Sequence, residues 1–288
     1  MTKILVLGDS HAECLLSPFW KNKHREFTWE TTIVYGATLS GLSNPNSNTM
    51  SSDIYSKALT DISCDAIVTL LGEVDCGFVI WYYAERDNID VHTAATKAIK
   101  NYKQLLLKAK NIAPVFVISA PLPTIGDNDK HGVVAQKRSS ISATQKQRTE
   151  LTQYFNKEIN KFCLENDITF IDLDSFSMGK DGLVHASLIN KKKSDHHYDK
   201  HKYMMLLSKF LMPYLFSYFD ANSDTNFTNE LFLKVGDKEI NLFRDAAVLV
   251  KEFDISIAYG LMKIANNLRP TGPFIKEKLN EYEKLINK

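Results

Sequence analysis

The sequence predicts an α/β fold: a parallel β-sheet with helices on both faces. Three observations carry that prediction. Five short apolar runs rich in β-branched residues recur along the chain, each closed by Gly, Pro or Asp, as strands buried on both faces require. Segments with apolar residues at helical spacing stand between them, and alternating strands and helices give a parallel sheet. The 288 residues suffice to bury such a sheet without disulfides or metals.

The first run, residues 3–7, stops at Gly8 and is the N-terminal strand. Later strands are expected over 31–35, 66–71, 115–120 and 169–173, ending at Gly36, Gly72, Pro121 and Asp174. Helices are expected over 94–109 and over 149–165, where Leu151, Phe155, Ile159 and Phe162 share a face. The polar stretch 126–144 is too long for a simple connection and reads as a mobile loop or lid. Lys191-Lys192-Lys193 reads as a solvated loop, and a helix follows over 203–215. Residues 220–229 turn polar and read as a linker, so the chain divides into an α/β domain, 1–220, and an appendage, 221–288. In the appendage, 231–235 and 238–242 flank Gly236-Asp237 as a β-hairpin. Helices over 243–253, 254–267 and 274–285 follow, the last beyond the break from Arg269 to Pro273. Ile257, Leu261, Ile264 and Leu268 fall on one face, at the spacing of a single tetratricopeptide-like helix pair. One pair is not an array, so the appendage reads as a surface for a protein partner or for self-association.

Composition excludes several function classes. Thirty-five Lys and Arg against 34 Asp and Glu leave a net charge of +1, which argues against nucleic-acid or acidic-membrane binding driven by bulk charge. The four cysteines form no CxxC pair, so neither a disulfide framework nor a structural zinc is called for, and free thiols fit a reducing compartment. Only residues 4–7 are apolar before Gly8 interrupts, too few for a secretory signal. No stretch reaches the ~20 apolar residues of a membrane span. The chain is read as cytoplasmic.

Two motifs carry chemistry. Gly8-Asp9-Ser10-His11 stands directly after the first strand. A serine there is either a helix cap or a nucleophile, according to whether a base can reach it. Asp195-His196-His197-Tyr198-Asp199 supplies a histidine beside a carboxylate, the general base with an orienting partner that a serine nucleophile needs. Asp195, His196, His197 and Asp199 could instead hold a metal, with His11 completing the site. Adjacent residues rarely point at one centre, however, and no second cluster of clear spacing accompanies them, so no metal and no other cofactor is assigned.

With these blocks the chain resembles the SGNH (GDSL-type) hydrolases. The resemblance rests on Gly-Asp-Ser after the first strand, a glycine-containing block after the second, Gly72-Glu73-Val74-Asp75 after the third and the late Asp/His pair. It spans roughly residues 3–215 and implies a three-layer, flavodoxin-like α/β/α fold that hydrolyses or transfers acyl esters. Carried over, Ser10 is the nucleophile and one oxyanion donor through its N–H, and Gly36 or Gly41 presents a second N–H, with Gly36, directly after the strand, the first choice. The third block departs from the family's Gly-x-Asn-Asp, because Val74 cannot donate. Losing such a donor costs about 3–4 kcal/mol in the transition state. Asp75 is then a loop-orienting residue, Glu73 a substrate-hydroxyl contact, and His11 a substitute donor. The last block is Asp-x-His rather than Asp-x-x-His, and resembles the Asp-x-His-Trp motif of alginate-type O-acetyltransferases, with Tyr198 for Trp. His197 is therefore assigned as base and Asp195 as its orienter, with His196 as the second choice of base. The resemblance implies an esterase for acyl groups, O-acetyl above all, on a small molecule or glycan. An acyltransferase using the same residues and a degenerate glycan-binding scaffold are the competing readings. Residues 78–83 read equally as core or pocket wall, and Arg148 as a solvated arginine.

Overall fold

Five strands form one all-parallel sheet in the computed structural model, which describes residues 1–44, 46–221, 237–252 and 254–286. They are β1 (Thr2–Gly8), β2 (Phe27–Ile33), β3 (Ala66–Leu70), β4 (Val115–Ile118) and β5 (Thr169–Ile171), in the order 2-1-3-4-5. This is the flavodoxin-like order, and its direction reverses between β1 and β3. β1 pairs with β2 on one side and β3 on the other, so Ile4 to Leu7 are wholly buried, as an unbroken apolar run demands. β2 differs from its expected span: Phe27 and Trp29 are buried in alternation with an exposed Glu30, the pattern of a half-covered edge strand.

Leu5, Leu7, Ile67, Val115 and Val117 face a core with Tyr55, Tyr102 and Phe155. Those aromatics come from helices Ser51–Asp61, Val91–Lys110 and Gln145–Glu165. Tyr102 stacks on Phe155 with centroids 6.1 Å apart, and its hydroxyl meets Thr69 Oγ1 at 2.8 Å. Both long helices start at capping residues. Asp90 accepts from the Thr93 N–H, and Thr144 and Gln147 form a reciprocal capping box. The opposite sheet face, Ile4, Val6, Val68, Phe116 and Ile118, is equally buried.

Other sequence expectations are also corrected. Residues 126–144 contain a helix, Val133–Arg138, with Ala135 and Arg138 buried. Arg148 is buried rather than solvated and donates to the Ile125 carbonyl at 2.7 Å. The second half of the expected hairpin, 238–242, lies in helix Asp237–Val250, where Ile240 and Ala247, seven residues apart, are the buried positions. The first half, 231–235, lies outside the described residues, as does the expected linker beyond residue 221.

By contact density the chain divides into Met1–Pro213 and Tyr214–Lys288. In the second unit, helices Asp237–Val250, Ile255–Leu268 and Pro273–Ile286 share a core of Ile240, Ala247, Ala258, Met262, Ala265, Ile275 and Tyr282. Ile257 and Ile264 of the expected apolar stripe are exposed; the helix instead buries Ala258, Met262 and Ala265.

Candidate active site

β1 and β3 leave the sheet side by side where the strand order reverses, the crevice in which open α/β sheets place their ligands. Asp9-Ser10-His11 follows β1. Asp9 Oδ1 accepts the His11 backbone N–H at 2.8 Å and meets the ring Nδ1 at 3.1 Å. Gly8 is required at this bend, since a Cβ there would lie 2.3 Å from that of Ala12. Ser10 opens the short helix Ser10–Leu16 and is half-buried. Neither its N–H nor its hydroxyl hydrogen-bonds to a described residue.

The same turn occurs a second time. Asp195 Oδ1 accepts the His197 N–H at 3.1 Å and holds ring Nδ1 at 2.6 Å, while Asn190 Nδ2 donates to Asp195 Oδ2 at 3.0 Å. The loop after β4 secures this segment. Thr124 Oγ1 donates to the His196 carbonyl, and the Leu122 N–H donates to the Tyr198 hydroxyl at 2.7 Å. In both turns a carboxylate holds Nδ1 and leaves Nε2 as the nitrogen turned away from it.

Ser10, His11, Asp195 and His197 line one cavity of about 100 Å³, together with Tyr198 and Lys200. The structure thus brings the serine at the start of the chain to the Asp/His pair two-thirds along it, with no hydrogen bond yet made between Ser10 and His197. His196 faces a neighbouring cavity of about 380 Å³ lined by Thr124, Asp129 and His131. The His197 ring lies 4.6 Å from His11 and 4.1 Å from His196, centroid to centroid. The expectation that adjacent histidines diverge fails here. They sit in a tight turn with ring planes 38° apart, not in an extended strand that would send them to opposite faces.

The electrostatics are set by burial and four charged groups. Arg138 grips Glu73 in a bidentate pair, 2.6 and 2.7 Å, with both side chains buried. Gly77 makes room for it, since a Cβ there would meet Arg138 Nη1 at 2.6 Å. Burial alone would raise the Glu73 pKa, but Arg138 and then His11 hold the carboxyl well below its ordinary range. Glu73 Oε2 lies 3.4 Å from His11 Nε2, within ion-pair range but outside hydrogen-bonding geometry. Burial lowers the His11 pKa, and the Glu73 and Asp9 carboxylates more than offset it, so the net direction is upward. Burial lowers His197 as well, aided by His11, and brings His196 to about 4. Burial would raise Asp195, but the backbone N–H and ring of His197 draw it down.

No family model matches the chain, and no curated protein matches it in sequence. Solved structures do match. A carbohydrate acetylesterase family member from Sinorhizobium meliloti superposes with TM-score 0.50 at 15% identity, over 75% of this chain and 98% of that one. A Streptococcus pneumonia protein provisionally described as a platelet activating factor superposes with TM-score 0.52 at 17% identity, over 74% and 84%. The chain has the fold of the SGNH hydrolases.

The remaining residues expected at the site take distinct places in this SGNH fold. Gly36 adopts φ +70°, at a point where the chain turns back after β2, and its N–H meets no described partner. The Gly41 N–H is already committed to Thr38, through Oγ1 at 2.9 Å and the carbonyl at 3.0 Å, so it is not a free oxyanion donor. Gly72 holds φ +115° with its Cα against Phe155, where a Cβ would approach to 2.8 Å, so packing demands this glycine. Asp75 accepts from the Leu39 and Ser40 N–H groups at 2.7 and 3.1 Å and from Ser40 Oγ at 3.0 Å, tying the third block to the second. Burial pushes its carboxyl up to about 6 against those bonds. Glu73 spends both oxygens on Arg138 rather than facing a substrate hydroxyl, and both His11 nitrogens face carboxylates. Residues 78–83 do not line the Ser10 cavity; Tyr83 lines a separate one with Ser40 and Arg86.

Sequence reasoning missed Asp9 as a ring partner and Arg138 altogether. For Asp9 a signal existed, because Asp9-Ser10-His11 repeats the Asp-x-His spacing of Asp195-His196-His197. For Arg138 there was none.

Proposed function

We propose that this chain is a serine esterase that removes O-acetyl groups from a carbohydrate. One observation carries the reading: Ser10 and the Asp195–His197 pair line a single cavity at the carboxyl edge of the sheet, with the carboxylate on His197 Nδ1 at 2.6 Å. The bond to Nδ1 fixes the tautomer, so Nε2 carries the lone pair. Ser10 Oγ attacks the ester carbonyl as His197 Nε2 takes its proton. The oxyanion faces the unengaged N–H groups of Ser10 and Gly36. Collapse breaks the bond to the sugar oxygen, which leaves with the proton from His197. Water activated by the same ring then hydrolyses the acyl-serine. The lowered pKa of His197 keeps the base neutral at physiological pH. The Sinorhizobium meliloti acetylesterase of the same fold supports the choice of acetylated carbohydrate as substrate.

The test is turnover of p-nitrophenyl acetate by the intact chain and by Ser10→Ala. The wild type is expected to release nitrophenol and the variant to fall to the uncatalysed rate. Equal rates would end the esterase reading, and release of acetate from an acetylated xylan tests the carbohydrate assignment.

A further inference from the structure

The mechanism uses one ring of three. His11, His196 and His197 each offer a nitrogen, and the three atoms all lie within 4.8 Å of one another. Two ring nitrogens of this cluster stand out. Nε2 of His11 and Nε2 of His197 are both shielded from solvent and have no hydrogen-bond partner, and His11 as a whole is only 5% exposed. A buried ring nitrogen without a hydrogen bond is uncommon, and a bound ion is one thing that accounts for it; the nearest polar atom to His11 Nε2 is Glu73 Oε2, at 3.4 Å.

The surroundings point to a cation. His11 and His197 each have Nδ1 held by an aspartate, at 3.1 and 2.6 Å, the carboxylate–imidazole arrangement that orients metal-ligating histidines and raises their basicity. Asp9, Glu73 and Asp195 bring three formal negative charges to the cluster, and Arg138 returns one positive. The excess of two is what a divalent ion would neutralise. Three imidazoles are borderline-soft ligands suited to zinc or a neighbouring transition metal rather than to magnesium or calcium. Zinc–nitrogen bonds of ~2.0–2.1 Å in a tetrahedron need nitrogens about 3.4 Å apart, against the 4.8 Å within which the three now lie. Three ligands leave a fourth position, and two of the three rings line the Ser10 cavity, as at open rather than closed zinc sites.

We propose that His11, His196 and His197 bind a divalent transition-metal ion that competes with Ser10 for the lone pair of His197. A lone pair donated to the metal cannot take the serine proton, so an occupied site silences the serine route. The competition rests on the esterase reading; the binding does not.

Cobalt(II) titration of the chelator-treated full chain tests the binding. One equivalent is expected to give the intense visible bands of a low-symmetry centre, displaceable by zinc and not by magnesium. Ser10→Ala should bind as the wild type does, while His11→Gln and His196→Gln should bind more than a hundredfold more weakly, with folding checked by circular dichroism. X-ray absorption of the zinc-loaded wild type, which needs no variant, should show imidazole nitrogens at ~2.0–2.1 Å. Absence of cobalt bands in the folded wild type, undiminished binding in both histidine variants, or a sulfur shell would overturn the site. Ester turnover by the wild type should fall with one equivalent of zinc and return with chelator; turnover that rises with zinc would overturn the competition. Binding in Ser10→Ala alongside an inactive wild type would sink the esterase reading and leave the metal site standing.

Discussion

The Arg138 guanidinium and Glu73 carboxylate meet with side chains 3% and 1% exposed. A buried pair of this kind is bound less by its own attraction than by the penalty for leaving either charge alone. Arg138→Met is therefore expected to destabilise the chain by about 3–5 kcal/mol in chemical denaturation, with much of the loss recovered when Glu73→Gln is added. In the proposed mechanism Asp195 works through the His197 ring it holds. Asp195→Asn should lower kcat on p-nitrophenyl acetate by about ten-thousand-fold with little change in KM, since the amide favours the wrong tautomer of His197. Legibility at this scale was uneven. Ser10, Asp195 and His197, which share one cavity, could be singled out because their types and spacing are those expected of a nucleophile with a base. Arg138 does not, because a lone arginine in a Ser- and Lys-rich stretch looks solvated until the fold buries it. The two-histidine turn misled for a related reason: spacing alone does not reveal that Asp195 folds its own backbone around the rings.

At the scale of elements, the turn after β4 is held by Asn156 of helix Gln145–Glu165. Asn156 Oδ1 accepts the Ala120 N–H at 2.8 Å, and Nδ2 donates to the Ala120 carbonyl at 3.1 Å and to Asp174 Oδ1 at 2.8 Å. Burial, with Asp172 nearby, pushes the Asp174 carboxyl from 3.8 up to about 7. A carboxyl raised on folding binds more protons folded than unfolded. Its favourable contribution is complete below 3.8 and is lost as pH rises through about 7. Asp174→Asn removes that loss, so its melting temperature should gain on the wild type between about pH 4 and about pH 8; a constant difference would contradict the assignment. Strands were the most legible elements, since an apolar run closed by Gly or Pro has few alternatives. The stretch 126–144 was not, because helix Val133–Arg138 buries only Ala135 and Arg138 and carries no apolar stripe.

Over the whole molecule, one topological fact organises the site. The reversal of strand order between β1 and β3 sets the Asp9-Ser10-His11 turn beside the Glu73–Asp75 block. The loop after β4 then carries the Asp195–Tyr198 segment to the same crevice. That convergence was foreseeable once a parallel sheet was inferred, because ligands of such sheets gather at strand ends. The charged network beneath it was not, since its members are drawn from three separate stretches of the chain. The C-terminal helices show the limit of pattern reading in another way. Residues 238–242 alternate like a strand, yet within helix Asp237–Val250 the spacing of Ile240 and Ala247 prevails.

The central claim is that Ser10 is a nucleophile activated by His197, and covalent capture tests it most directly. A fluorophosphonate incubated with the intact chain should add one adduct by mass, mapping to Ser10 and lost in His197→Ala. A folded wild type that stays unlabelled, or an adduct on a residue other than Ser10, would contradict the account.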